Sequence, residues 1–326
     1  MPVEIKDLAG LSGPMTKLIE VVSSAIGTIY RPRSIKAEAE AKAYEVKTLS
    51  RAAAEAEVAS KAIETQAIED RISTIARENP ELAERARKRL LTREIEGQFN
   101  VEQIAEQASL ALPSAVSVEP VNADWRRKFF QEAENVCESD MQELWGKVLA
   151  GEIAQPGAFG LRTLETLKQL SRKEAELFRQ ICGIAMSDGW VVIVGHDINT
   201  ALKPFGFSYD EILKLRDAGL LLHGDGIHKS FPSMSPTEQP GTQITVLVNN
   251  EIFIQLSGQS LASLHVPSLI FTQAGRELQR LIAIAPNEQY LTALGVYLRQ
   301  RNLTTKRGTM VPQSDTASLI VFEQNL

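Results

Sequence analysis

The chain has 326 residues, 44% of them hydrophobic, and carries 35 Lys and Arg against 41 Asp and Glu, a net charge of -6. This length exceeds one typical domain and supplies ample core material, while the mild acidity gives no general reason to expect nucleic acid. Two cysteines argue against a disulfide framework, and no apolar run approaches the roughly 20 residues of a membrane span.

Met1 to Leu11 carries Glu4, Lys6 and Asp7 instead of a basic start followed by an apolar run, so a cytoplasmic location is expected. Residues Leu11 to Tyr30 then place Leu11, Met15, Leu18, Val22, Ala25 and Ile29 on one helical face, with Ile19 and Ile26 beside them. Arg31, Arg33 and Lys36 follow at once. An apolar face next to cations suits a helix lying at anionic headgroups, and equally one packed on a partner. The expected membrane or partner face is therefore Leu11, Met15, Leu18, Ile19, Val22, Ile26 and Ile29, with Arg31, Arg33 and Lys36 as basic contacts. A peripheral position at the inner membrane is the matching location.

From Ser34 to Glu78 the chain is rich in Ala, Glu and Lys and free of Gly and Pro, which predicts one long helix. A coiled-coil spacing runs through Ile35, Ala39, Val46, Leu49, Ala53, Ala56 and Ile63, interrupted by Lys42 and Ser60. So little apolar surface on so long a helix calls for support, either from another copy or from the rest of the chain. A homo-oligomer is the preferred expectation. Pro80 ends this helix and opens another through Leu90 and Ile95, where Arg85, Arg87, Lys88, Arg89 and Arg93 form a basic block. These five are the candidate phosphate contacts. Glu81, Glu84, Glu94 and Glu96 balance them, as on an ordinary solvated face. A further helix, Val101 to Leu110, precedes an extended segment from Pro113 to Pro120, taken as the end of the helical arm.

Residues Asn122 to Met186 hold both cysteines and two of the three tryptophans. Asn122 opens a helix with Trp125, Phe129, Ala133 and Val136 on one face, which Phe130 and Cys137 widen. Ser139 with Gln142 has the spacing of a capping box, ahead of Met141, Leu144, Trp145, Val148 and Leu149. After the Gln155-Pro156-Gly157 turn come Leu161, Leu164, Leu167 and Leu170, and Ser171 with Glu174 caps a fourth helix.

Trp190 to Val194 suits a buried strand, and Ser208 with Glu211 caps a helix that closes at Gly219. Leu220 to Leu222 reads as a strand and Gly224 to Gly241 as a loop. Gln243 to Val248 and Glu251 to Leu256 follow as two strands hinged at Asn249-Asn250. Leu269 to Phe271 is a short strand, Thr272 and Asn287 each cap a helix, and Met310 to Phe322 offers two more strands. The expected divisions are 1–33, an apolar amphipathic segment; 34–112, a long helical arm; 113–187, a central helical bundle; and 188–326, an α+β end.

No catalytic or metal set emerges, and no cofactor is implied. His196, His223, His228 and His265 lack ligand spacing with one another or with the cysteines. Phosphate-binding, dinucleotide and nucleophile-elbow glycine motifs are absent. A Cys182/His196 pair is the sole nucleophilic candidate, and it requires convergence in space.

Two phrases, Tyr209 through Leu221 and Phe271 through Leu278, resemble the "helix, Ala-Gly-Leu-Leu" and "Thr-x-Ala-Gly-x-Glu-Leu" phrases of bacterial winged-helix proteins. Asp210, Glu211 and Asp217 make the first of these helices partly acidic, which favours a protein-binding or structural use over base reading. Asp124-Trp125, Phe129-Phe130, Asp140 through Trp145, Leu149 through Glu152, Pro156-Gly157 and Leu161 through Leu164 resemble the bacterial domain of unknown function 2806. Lys17-Leu18-Ile19 and Ile29 through Pro32 extend the likeness over most of the chain. That resemblance supplies no activity. It implies a bacterial accessory protein of the kind found near mobile elements and phage-defence genes.

The expected fold is mainly α, with a long N-terminal helical arm, a central helical bundle and a winged-helix-like α+β end. The expected function is that of a non-enzymatic, self-associating scaffold or effector binding a protein partner. Nucleic-acid binding is the alternative.

Overall fold

The computed structural model describes residues 12–27, 30, 32, 73–195, 197–231, 235–236, 242–259, 261, 264–314 and 317–325. The protein is mainly α-helical with an α+β C-terminal region, and divides into two compact units, Met1–Gly157 and Ala158–Leu326. The division falls in the Pro156-Gly157 turn, where Gly157 adopts a positive φ of 87° and donates its N–H to Glu152 at 2.7 Å. It does not follow the boundaries drawn from sequence at 113 and 188. Segment 113–120 is tied into the first unit, and the four helices between Asn122 and Met186 are shared between the two units.

Unit 1 contains α1 (Gly13–Ile26), α2 (Pro80–Ala111), α3 (Ala123–Ala133) and α4 (Ser139–Ala154). The main seam joins α2 to α4. It closes tightly because α2 offers Ala105 and Ala108 and α4 offers Gly146, where an added Cβ would lie 2.5 Å from Gln107 Cβ. Around the seam, Trp125 stacks on Phe129 at 4.9 Å, and Phe129 meets Phe130 at 5.2 Å and Trp145 at 5.1 Å. Ring pairs at such distances add to the area these side chains bury. Asn122 caps α3 by accepting the N–H groups of Asp124 and Trp125.

Lys17 of α1 completes the unit. Its ammonium donates to the carbonyls of Ser117 (2.7 Å), Glu119 (2.6 Å) and Ile153 (3.1 Å). The last of these lies in the final turn of α4, where a cation also opposes the negative end of the helix dipole. Desolvation draws the Lys17 pKa below its ordinary value, against the pull of Glu119, Glu20 and Glu152.

Three sequence expectations change in this unit. The helices foreseen at Pro80 to Ile95 and Val101 to Leu110 are one helix, α2, because Gly97 is buried against the Glu134 side chain and interrupts nothing. Ser139 and Gln142 form no capping box. Gln142 instead donates to Val136 O (2.9 Å) and Asn100 Oδ1 (3.3 Å), while Asn100 donates to Glu134 O (2.8 Å). These bonds hold the α3–α4 loop, so Val136 and Cys137 lie beyond the end of α3 and Cys137 is exposed.

Unit 2 opens with α5 (Leu161–Gln169) and α6 (Arg172–Cys182), the latter capped by Ser171 and Glu174 as foreseen. Next come β1 (Trp190–Val192), α7 (Ile198–Ala201) and α8 (Tyr209–Asp217), with the Ser208–Glu211 capping box in place. A 3-10 turn, Lys203–Phe205, joins α7 to α8, and further along come β2 (His228–Ser230), β3 (Ser235–Pro236), β4 (Gln243–Asn249), β5 (Ile252–Gly258), β6 (His265–Ile270), α9 (Gln273–Gln279), α10 (Glu288–Arg299), β7 (Thr304–Ser314) and β8 (Ala317–Asn325). All described strand pairs are antiparallel, in orders β1-β6-β2 and β3-β4-β5-β7-β8.

The β4–β5 hairpin turns through Asn250 and Glu251, with Asn250 at φ 52°, a region asparagine tolerates better than most residues. Strands β2 and β3 lie inside the expected 224–241 loop, and Leu221 makes only a single bridge, to Phe271. Polar His228, Lys229 and Ser230 pair with β6 without any apolar alternation to announce them. Buried Glu277 of α9 fastens α5, accepting from Gly160 N (2.8 Å), Gln273 Nε2 (2.8 Å) and the Thr163 hydroxyl.

Candidate partner-binding helix

The first half of α2 is the one described helix segment that carries several exposed large apolar side chains. None of residues 80–96 is buried, and burial begins at Gly97, continuing through Asn100, Val101, Ile104, Ala105 and Ala108. Asn79 explains the start. It leaves the helical region at φ -132° and ψ 71° between helical residues 73–78 and Pro80, and Pro80, lacking an N–H, suits a first helical turn.

Leu91, Ile95 and Phe99 recur every fourth residue, so they form one stripe, and they are 60%, 61% and 54% exposed. Phe99 and Val101 are two positions apart and so point to opposite sides of the helix, Val101 into the core and Phe99 out. Leu82 and Leu90 are also exposed, on the line that continues the buried face past Gly97. Lys88 and Glu102 flank the stripe at its two ends. The sequence reading missed it by ending one helix near Ile95 and starting another at Val101. The spacing of Leu91, Ile95 and Phe99 was the available signal.

The basic block lies on this same segment. Arg85, Arg87, Lys88, Arg89 and Arg93 are all exposed, and Arg85 approaches Glu81 at 3.7 Å. Arg85, Arg89 and Arg93 share one side of α2, whereas Arg87 and Lys88 point elsewhere.

The expected membrane or partner face of α1 is largely spent inside unit 1. Leu18, Ile19 and Val22 are buried, Met15 and Ile26 half-buried, and α1 packs on α2, α3 and α4. Leu11, Ile29, Arg31, Arg33 and Lys36 lie outside the described residues, as does nearly all of the long helix expected from Ser34 to Glu78. No helix among the described residues is long and apolar enough to cross a membrane.

Other clusters offer less. Cys182 is buried and desolvation pushes its thiol pKa far up, which suppresses the thiolate a nucleophile needs. His196 lies outside the described residues, and His223, His228 and His265 are exposed. Among the described residues no group of three His, Cys, Asp or Glu could hold a metal ion. An open cleft of about 500 Å³ in unit 2 is lined by Asp188, Trp190, Lys229, Phe231 and Val246 among others. There Lys229 pairs with Asp188 at 3.0 Å and lies 5.0 Å from the Trp190 ring centre.

A family model described as a protein of unknown function, DUF2806, matches residues 84–295. No curated protein and no solved structure matches the chain.

Proposed function

The chain belongs to the DUF2806 family, and we propose that it acts through binding, as a self-associating scaffold whose assembly element is the first half of α2. The observation that carries this reading is the exposed stripe of Leu91, Ile95 and Phe99 on a helix anchored at its other end in the core of unit 1. Anchoring holds the stripe in register before any partner arrives, so little ordering entropy opposes contact. Four turns of helix bury less than the roughly 1,200 Å² of a standard interface, so association is expected near a micromolar Kd.

Sedimentation of the full chain across that concentration range tests the reading. Self-association that Ile95→Glu weakens supports it, and a chain that stays monomeric throughout refutes it. Truncation before Ser114 would not serve, since it removes the buried half of α2.

A second reading rests on Arg85, Arg89 and Arg93, spaced every fourth residue and exposed, as contacts to nucleic-acid phosphates. Its mark is a mobility shift that weakens steeply with salt. A part in phage defence extends the scaffold reading on the family resemblance alone. Loss of plaque protection in the Ile95→Glu variant is its test.

A further inference from the structure

We infer that two copies of this chain pair antiparallel along α2, with a two-fold axis at Ile95. This rests on the self-association reading and specifies its geometry. In such a pair each residue meets the one equally far from Ile95 on the other copy, as an isologous contact requires. Ile95 then meets its own counterpart, and four positions out Leu91 meets the partner copy's Phe99 on each side, a smaller side chain against a larger one. Seven positions out, Lys88 of each copy meets Glu102 of the other.

Charge sets the direction. Parallel pairing in register would place Lys88 against Lys88 and Glu102 against Glu102, whereas the antiparallel arrangement turns the same four groups into two ion pairs. The contact runs between Lys88 and Glu102, about 21 Å at 1.5 Å per residue. The core of each unit 1 lies on the side of α2 marked by Val101 and Ile104, opposite the stripe, so neither copy's core obstructs the other. Glu102 already accepts from Gln98 of its own helix at 3.0 Å, which orients its carboxylate along the exposed surface.

Cysteine cross-linking in the full chain tests the axis. The exposed Cys137 is replaced by Ser, and single cysteines are introduced as Leu91→Cys, Ile95→Cys or Phe99→Cys; Cys182 is buried and stays silent. Mild oxidation should link Ile95→Cys to itself, and should link Leu91→Cys to Phe99→Cys only when the two proteins are mixed. Equal self-linking at all three positions would overturn the proposal in favour of a parallel pair. No linking in a chain that still self-associates would also overturn it, while leaving the scaffold reading intact. A monomeric chain would remove both.

Charge reversal gives an independent arm. Lys88→Glu or Glu102→Lys alone should weaken association about tenfold, and the two together should restore it. Additive weakening in the double variant would overturn the proposed pairing.

Discussion

Replacing Gly146 by alanine is expected to destabilise unit 1, although the same change in an open helix would stabilise it. Alanine is favoured over glycine within a helix by about 1 kcal/mol. At this position, however, the new Cβ would lie 2.5 Å from Gln107 Cβ and 2.9 Å from the Ala108 backbone nitrogen. Carbon atoms rest at about 3.5–4.0 Å, so α2 and α4 would have to separate by about 1 Å along their main seam. Overpacking of that kind costs about 1–3 kcal/mol. Set against the helix gain, the net loss is up to about 2 kcal/mol, or up to about 8 °C in Tm for a unit of this size. The assay is thermal unfolding followed by circular dichroism, with Gly13→Ala as control because nothing lies within 4 Å of its added Cβ. A Gly146→Ala protein that melts above the parent temperature would show that α2 and α4 are not packed so closely.

Lys17→Met should cost about 2–4 kcal/mol in unit 1, because three carbonyls lose a charged donor at once; a change below 0.5 kcal/mol in chemical unfolding would contradict the clamp. Thiol labelling of the native chain should proceed at Cys137 and reach Cys182 only on unfolding, since one is exposed and the other buried. For acid stability, the Ser208 bonds to Glu211 and the Arg307 bonds to Glu288 hold both carboxyls below their ordinary 4.5. Their contribution is complete above that value and is lost as pH falls through the lower folded pKa, so Tm should drop on acidification and drop less in Glu211→Gln. Bonds from Arg179 and Gln180 likewise hold Glu176 at about 2, which a carboxyl NMR titration can read directly.

The helical caps were legible because their chemistry is local. Asn122, Ser171, Ser208, Thr272 and Asn287 each accept the backbone N–H groups that their position in the sequence predicts. Gln142 shows where local reasoning stops. Its spacing from Ser139 fits a capping box, yet its amide donates to Val136 O in the preceding loop and to Asn100 of another helix. The stripe on α2 was hidden because the sequence reading ended one helix near Ile95 and began another at Val101, where the chain forms a single helix. The apolar spacing of α1 is visible in the sequence, but its covering by α2, α3 and α4 depends on contacts across long stretches of chain.

The Lys17 clamp has a consequence for how the protein is made. Its ammonium bonds to carbonyls 100, 102 and 136 residues further along the chain. On a ribosome adding about 5–20 residues per second, the last of those partners emerges roughly 7–27 seconds after Lys17 itself. Until then Leu18, Ile19 and Val22 have no α4 to cover them. The nascent chain therefore passes through an interval in which its first helix is sticky, and holding that helix apart from other chains falls to the cell.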